Sequence, residues 1–188
     1  PYLTQIAWGL NPVTYGEEDN LYINGHVTGN SPYLTFEWKA GKAGERHEVQ
    51  TQLIGDYNFP NALAAITIGH FFGAEAAKID KALHEYEPRN NRSQLKKTAD
   101  NTLIIDAYNA NPTSMLAAIS NFHNMQAGGK MLILGDMREL GKDSPGEHQK
   151  IVDCLEEYGF KDVALVGELF AATRHTYPTY PDAPALIA

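Results

Sequence analysis

Leu103-Ile104-Ile105-Asp106-Ala107-Tyr108-Asn109-Ala110-Asn111-Pro112 is the stretch on which the reading of the fold turns. Three apolar residues without alternation suit a short strand covered on both faces, as in a parallel sheet. The acid that ends the run opens a polar loop. Asn111-Pro112 then offers an N-cap followed by Pro at the first helical position, and Met115, Ile119 and Phe122 recur at helical spacing. The same rhythm returns twice downstream. Met131-Leu132-Ile133-Leu134 and Val163-Ala164-Leu165-Val166 are further apolar runs, about 30 residues apart, the usual length of a βαβ unit. Between them Ser144-Pro145-Gly146-Glu147 reads as a capping box ahead of a stripe at Ile151, Leu155 and Tyr158. Residues 88–188 are therefore expected to form a small doubly wound α/β domain.

Upstream the chemistry changes. Leu21-Tyr22-Ile23, Tyr33-Leu34-Thr35-Phe36-Glu37-Trp38 and Glu48-Val49-Gln50-Thr51 are rich in β-branched and aromatic residues. Turn signals at Asn24-Gly25, Gly29-Asn30-Ser31-Pro32 and between Gly41 and Gly44 separate them, so antiparallel hairpins are expected. Two helices follow. The first has Pro60 just inside its start and Gly73 at its end; Leu63, Ile66, Phe71 and Phe72 make it apolar nearly all round, so it is expected to be buried. The second carries Ile79, Ala82, Leu83 and Tyr86 on one face, and Pro88 stops it. Glu87-Pro88-Arg89-Asn90-Asn91-Arg92 reads as a linker, so the expected division is 1–87 and 88–188.

Composition narrows the class. The 188 residues are 43% apolar, enough to fill a core, and the formal charge of −8 argues against a nucleic-acid backbone as partner. No apolar stretch approaches the ~20 residues that span a bilayer, and Pro1 does not open on a basic then apolar leader. The lone Cys154 fits a reducing compartment and reads as inert packing, so a cytoplasmic globular chain is expected. The missing initiator Met and the abrupt ends at Pro1 and Ala188 lead to the expectation of a piece of something longer.

The chemistry-bearing residues gather where strands end. In open α/β sheets ligands bind outside the carboxyl ends of the strands, and here the apolar runs lead into Asp106, Asp136 and Glu168. Asp106, Tyr108, Asn109, Asn111, Asp136 and Glu139 are thus expected at one rim, suited to hydroxyls, amides and ammonium groups. The helix after Asn111 would turn its positive end to the same rim. The plainer alternative is that these acids cap helices and solvate loops. No phosphate-cradling G-x-x-x-x-G-K-[ST] occurs, since Gly128-Gly129-Lys130 is followed by Met131, and no G-x-G-x-x-G follows a strand. The seven histidines show no zinc-site spacing, and His148 reads as a residue packed at a helix edge.

Several segments together resemble the Mur ligase family. Asp106-Ala107-Tyr108-Asn109-Ala110-Asn111-Pro112-Thr113-Ser114-Met115 resembles its strand-loop-helix motif, and Gly135-Asp136-Met137-Arg138-Glu139-Leu140-Gly141, followed by His148, resembles its next loop. Gly55-Asp56-Tyr57-Asn58-Phe59-Pro60-Asn61-Ala62 resembles the family's adenine-contacting segment, His-Asn-x-x-Asn-Ala, with Tyr57 in place of the histidine. Arg92 stands where the family has a linker arginine that reaches the ATP phosphates. Most relatives have Asp-x-Ala-His-x-Pro in the first motif. Here Pro112 comes six positions after Asp106 and no His is present, which resembles the branch that adds D-alanyl-D-alanine.

The resemblance implies a Rossmann-like C-terminal domain, clipped at its end, preceded by the hairpin and helical remainder of a central ATPase domain. It implies an ATP- and Mg2+-dependent ligase, monomeric and cytoplasmic. Such a ligase joins D-alanyl-D-alanine to UDP-N-acetylmuramoyl-tripeptide through an acyl phosphate in peptidoglycan precursor synthesis. Asn58 and Asn61 would meet the adenine edge or, alternatively, cap the helix at Pro60. Arg92 would balance phosphate charge and Asp106 would accept from ribose hydroxyls. Tyr108, Asn109, Asn111, Asp136 and Glu139 would shape the dipeptide cleft. The family's phosphate loop, modified lysine and metal ligands lie upstream of these motifs, so no catalytic or metal residue is assigned here, and the 188 residues alone are expected to be inactive. Another ATP-dependent amide ligase, such as a different Mur enzyme or a folylpolyglutamate synthase, remains an alternative, as does a noncatalytic α/β binding domain.

Overall fold

The computed structural model describes residues 9–30, 32–89 and 91–188. The chain divides into two compact units, Pro1–Arg89 with Ser93–Leu95, and Asn90–Arg92 with Lys96–Ala188. In the first, β1 (Tyr15–Gly16) runs parallel to β2 (Ile23–Gly29), and β2, β3 (Tyr33–Ala40) and β4 (His47–Ile54) form an antiparallel meander. Along β3 burial alternates, with Leu34, Phe36 and Trp38 inward, the period-2 signature of a half-covered sheet. Helices α1 (Phe59–Phe71) and α2 (Ala76–Glu85) cover that face. Phe59, Leu63, Ile66 and Ile79 close the core over Ile23, Phe36, Trp38 and Val49.

Several expectations for this unit need correction. Asn24-Gly25 is not a turn but lies inside β2. A Cβ on Gly25 would come within 2.3 Å of the Glu37 carbonyl oxygen, so this glycine serves a close approach of β3. Leu21 and Tyr22 precede the strand. Helix α1 is not buried all round, since Phe59, Ala62, Leu63 and Ile66 take one stripe while Ile68, Phe71 and Phe72 are exposed. On α2 the packed face is Ala76, Ile79 and Leu83; Ala82 and Tyr86 are exposed.

The second unit is α/β, as expected, with a parallel sheet. β7 (Met131–Gly135), β8 (Asp162–Val166) and β9 (Thr179–Tyr180) lie in that order, all parallel. Helices α3 (Pro112–Asn124) and α4 (Ser144–Glu157) bring Ile119, Ile151, Val152 and Leu155 onto Leu132, Val163 and Leu165. The short α5 (Glu168–Ala171) buries Phe170 in the same core, and α6 (Ala183–Ile187) follows β9.

The strand that led the reading pairs differently. β6 (Thr102–Ile105) forms a separate two-stranded sheet with β5 (Gln94–Lys97) rather than joining β7. Coverage of the strands is uneven: β8 is buried on both faces at Val163, Ala164 and Leu165, as expected, but β7 is covered on one face alone. On β7 Leu132 is buried, whereas Met131 and Ile133 on the opposite face are 58% and 57% exposed. The capping box is also displaced. A 3-10 turn at Gly141–Asp143 runs straight into α4, making Asp143 the N-cap and putting Ser144 inside the helix. Glu147 instead binds Lys150 at 2.6 Å.

Candidate functional site

β4 delivers the first candidate segment. Gly55 leaves the strand at φ 86, and a Cβ there would lie 2.2 Å from the Tyr57 ring, so only glycine lets that ring fold back over the turn. A 3-10 turn, Asp56–Asn58, then leads into α1 with Pro60 in its first turn. Asn58 occupies the N-cap position, yet its side chain makes no capping bond, which removes that alternative. Its Nδ2 instead donates to the Ile54 carbonyl at 2.9 Å and to Ser93 Oγ at 3.3 Å. Its Oδ1 meets Asn61 Nδ2 at 3.5 Å, the outer limit of a hydrogen bond. The Tyr57 hydroxyl and Ser93 Oγ are 2.8 Å apart. Ser93 is buried and sits at φ 47, an unusual conformation for a non-glycine residue. An open cleft of about 420 Å³ lies beside this segment, walled by Tyr57, Phe59, Pro60 and Val27 with polar groups from Glu17, His26 and Asp56.

In the second unit, Asp106 and Asn109 are exposed in the loop after β6. Asn111 is the N-cap of α3 as expected, its Oδ1 accepting from Ser114 N–H at 3.0 Å. Ala107 N–H donates to the Asn91 carbonyl at 2.7 Å, holding the linker against this loop. The Arg92 guanidinium lies 3.7 Å from the centroid of the exposed Tyr108 ring. Planar guanidinium stacks well on an aromatic face while its edge N–H groups stay available. Two residues assigned to different ligands are therefore one unit.

The loop after β7 is braced from both sides. Asp136 accepts from Leu169 N–H at 3.0 Å through Oδ2 and from Phe170 N–H at 2.9 Å through Oδ1, capping the first turn of α5 from outside it. Gly167, at φ 121, makes room: a Cβ there would sit 2.2 Å from the Asp136 carboxyl carbon. His148 is fully buried. Its Nε2 accepts from Met137 N–H at 3.0 Å and its Nδ1 donates to the Ser144 carbonyl at 2.7 Å. That pair of bonds defines the neutral Nδ1–H tautomer. Asp136 Oδ1 is 3.9 Å from Nε2, but the nitrogen's lone pair is already engaged, so the two do not form an ion pair. Glu139 is exposed on this loop at φ 67.

Asn58 and Asn61 are thus brought together, as are Arg92 and Tyr108. Asp136 is committed to backbone N–H groups, and Asn111 to its own helix. Ser93, not singled out from sequence, holds Asn58, and Tyr57, noted there only as replacing the family's histidine, holds Ser93. Met137 and Cys154 pack in or against the core, and the Cys154 thiol is pushed up by burial. Among the described residues no group of three or more His, Cys, Asp or Glu is placed to hold a metal. No helix among them is long and apolar enough to cross a membrane.

Known proteins match this arrangement. Residues 91–177 match the family described as Mur ligase, glutamate ligase domain. The chain is 45% identical over 142 residues, 74% of its length, to UDP-N-acetylmuramoyl-tripeptide–D-alanyl-D-alanine ligase of Bacillus subtilis (strain 168), covering 30% of that protein. It is 31% identical over 163 residues, 86% of its length, to the protein of the same name from Escherichia coli (strain K12), covering 35% of it. A crystal structure of MurF from Acinetobacter baumannii superposes with a TM-score of 0.80 at 27% identity, over 91% of this chain and 37% of that one. The chain spans about a third of the length of these relatives. On motif order, fold and these matches together, the chain belongs to the Mur ligase family.

Proposed function

We propose that this chain is part of an ATP-dependent ligase that joins D-alanyl-D-alanine to UDP-N-acetylmuramoyl-tripeptide in peptidoglycan precursor synthesis. The observation that carries this reading is the 45% identity to the Bacillus subtilis ligase of that name, sustained over 142 residues. In the reaction, a carboxylate oxygen of the tripeptide attacks the γ-phosphorus of ATP, giving an acyl phosphate and ADP. The dipeptide amine then attacks the acyl carbon; phosphate leaves and a proton is lost from nitrogen. Mg2+ would accompany the ATP phosphates, but the described residues do not themselves form a ligand set for it. The catalytic groups are assigned to the remainder of the protein, which we place in the cytoplasm as a monomer.

This chain's residues bind and orient. Asn58 and Asn61 present amides to the adenine edge, and the cleft beside Tyr57 and Pro60 has apolar walls suited to a flat ring. Arg92, held on the Tyr108 face, offers its edge to phosphate oxygens as a fixed cation. Asp106 accepts from ribose hydroxyls. Asn109 and Glu139, both exposed, contact the dipeptide side of the cleft. Asn111 and Asp136 act by position, one fixing the start of α3 and the other the loop that carries Glu139.

The test is phosphate release by the full-length protein given ATP, Mg2+ and UDP-N-acetylmuramoyl-tripeptide, with and without D-alanyl-D-alanine. Single amino acids and a folate serve as alternative acceptors. Turnover that requires the dipeptide and falls in Asp106→Ala supports the reading. Turnover with another acceptor changes the substrate within the family. No turnover with any acceptor from a folded protein leaves a noncatalytic binding domain.

A further inference from the structure

We infer that Tyr57 and Ser93 are positioning residues that hold Asn58 Oδ1 in its direction toward the nucleotide base, and so sharpen the preference for adenine over guanine. The inference rests on the ATP-binding role proposed for Asn58. The Ile54 carbonyl is an acceptor only, so the Asn58 group 2.9 Å from it must be the Nδ2 donor. The second Nδ2 hydrogen points to Ser93 Oγ at 3.3 Å. Ser93 Oγ is in turn held 2.8 Å from the Tyr57 hydroxyl, and the Tyr57 ring is seated in the space that Gly55 leaves open. Both donors of the amide are therefore spent on the protein. What remains for a ligand is Oδ1, engaged only at the 3.5 Å limit by the exposed Asn61.

An outward acceptor suits one purine. At the same ring position adenine carries an amino donor and guanine a carbonyl acceptor. Oδ1 gains a hydrogen bond from the first and faces an unfavourable lone-pair contact with the second. Without the hydroxyl latch the Ile54 bond still keeps Nδ2 inward, but the amide is free to pivot about that one bond, so Oδ1 no longer meets the adenine amino group in register. The latch therefore works on base choice and leaves the chemical step alone.

The experiment uses the full-length enzyme, with KM and kcat measured for ATP and for GTP in the unmodified protein, Tyr57→Phe, Ser93→Ala and the double variant. Tyr57→Phe keeps the ring and removes only the hydroxyl. We expect each single variant to raise KM for ATP about five- to tenfold, the equivalent of one hydrogen bond, with kcat within about twofold. The ATP-over-GTP ratio should fall by a similar factor. The double variant should be little worse than Ser93→Ala, because the Tyr57 hydroxyl acts on Asn58 through Ser93 Oγ. A lower melting temperature with an unchanged ATP-over-GTP ratio overturns the inference, since a merely structural latch would give that. So does full additivity. If the unmodified enzyme, folded, turns over neither ATP nor GTP with any acceptor, the ATP-binding role falls and this inference with it.

Discussion

His148 and Asp136 both pin the loop after β7 through backbone groups, His148 by holding Met137 N–H and Asp136 by reaching out from the loop to the N–H groups of Leu169 and Phe170. The imidazole ties Met137 N–H to the Ser144 carbonyl, so the loop and the first turn of α4 cannot part without orphaning two buried polar groups. His148→Ala is expected to cost about 2–4 kcal/mol from the lost bonds and the cavity together, read as a lower midpoint in urea. Asp136 shares its space with Gly167. Gly167→Ala puts a methyl into the carboxylate at an unfavourable φ, and Asp136→Ala leaves two N–H groups uncapped. Each alone is expected to destabilise by about 1–3 kcal/mol. The double variant should lose clearly less than the sum, because removing the carboxylate relieves the clash. Additivity in that cycle would mean the two do not share the site. Cys154 gives a pH prediction. Burial raises its thiol, with the Glu157 charge adding to the effect, so the folded state holds its proton more tightly than the unfolded chain. Stability from this group is full below the ordinary thiol range and is lost as pH rises through it. The fall in melting temperature on the alkaline side of about pH 9 should therefore be shallower in Cys154→Ala than in the parent.

Helix α2 shows how an element is held by more than its apolar stripe. Asp80 accepts from Trp38 Nε1 at 2.7 Å and from His47 Nδ1 at 2.9 Å, and the Trp38 and His47 rings stack at 4.6 Å. His84 Nδ1 donates to the Gln50 carbonyl, and Gln52 Nε2 to the His84 carbonyl, further along the same strand. Asp80→Ala is expected to cost about 1–3 kcal/mol and to raise amide exchange over residues 76–85 before the β2–β4 meander responds. Equal protection loss across the whole unit would show that α2 and the sheet open together. The contacts also mark what a sequence can tell. Ile79 and Leu83 on the face of α2 and the N-cap at Asn111 were legible because their partners in the pattern lie three or four residues away, whereas Ala82 and Tyr86 of the same expected face are exposed. The partners of Asp136 and Asp80, and the Ser93 that meets Asn58, lie more than 30 residues away, beyond any local rule. Asn24-Gly25 misled for a related reason: the pair has turn chemistry, but the approach of β3 is what demands the glycine. The apolar run at β6 announced a strand without naming its partner, and the all-round apolar α1 announced a helix without saying which stripe would be covered.

At the scale of the whole molecule the described residues form two cores, and none of them belongs to both. One closes around Phe36, Trp38 and Leu63; the other around Ile151, Leu155 and Leu165. Cooperativity follows buried contacts, so each unit is expected to melt by itself. Both tryptophans, Trp8 and Trp38, precede residue 90, so indole fluorescence reports the first unit, while helix loss in far-UV circular dichroism reports both. Leu155→Ala removes a side chain with no exposed surface, which costs about 2–5 kcal/mol in such sites. It should move part of the dichroism transition several degrees lower and leave the fluorescence midpoint in place. Leu63→Ala should do the reverse. If either variant moves both signals together, the two cores unfold as one cooperative body. Separate transitions would instead show that each unit opens without the other.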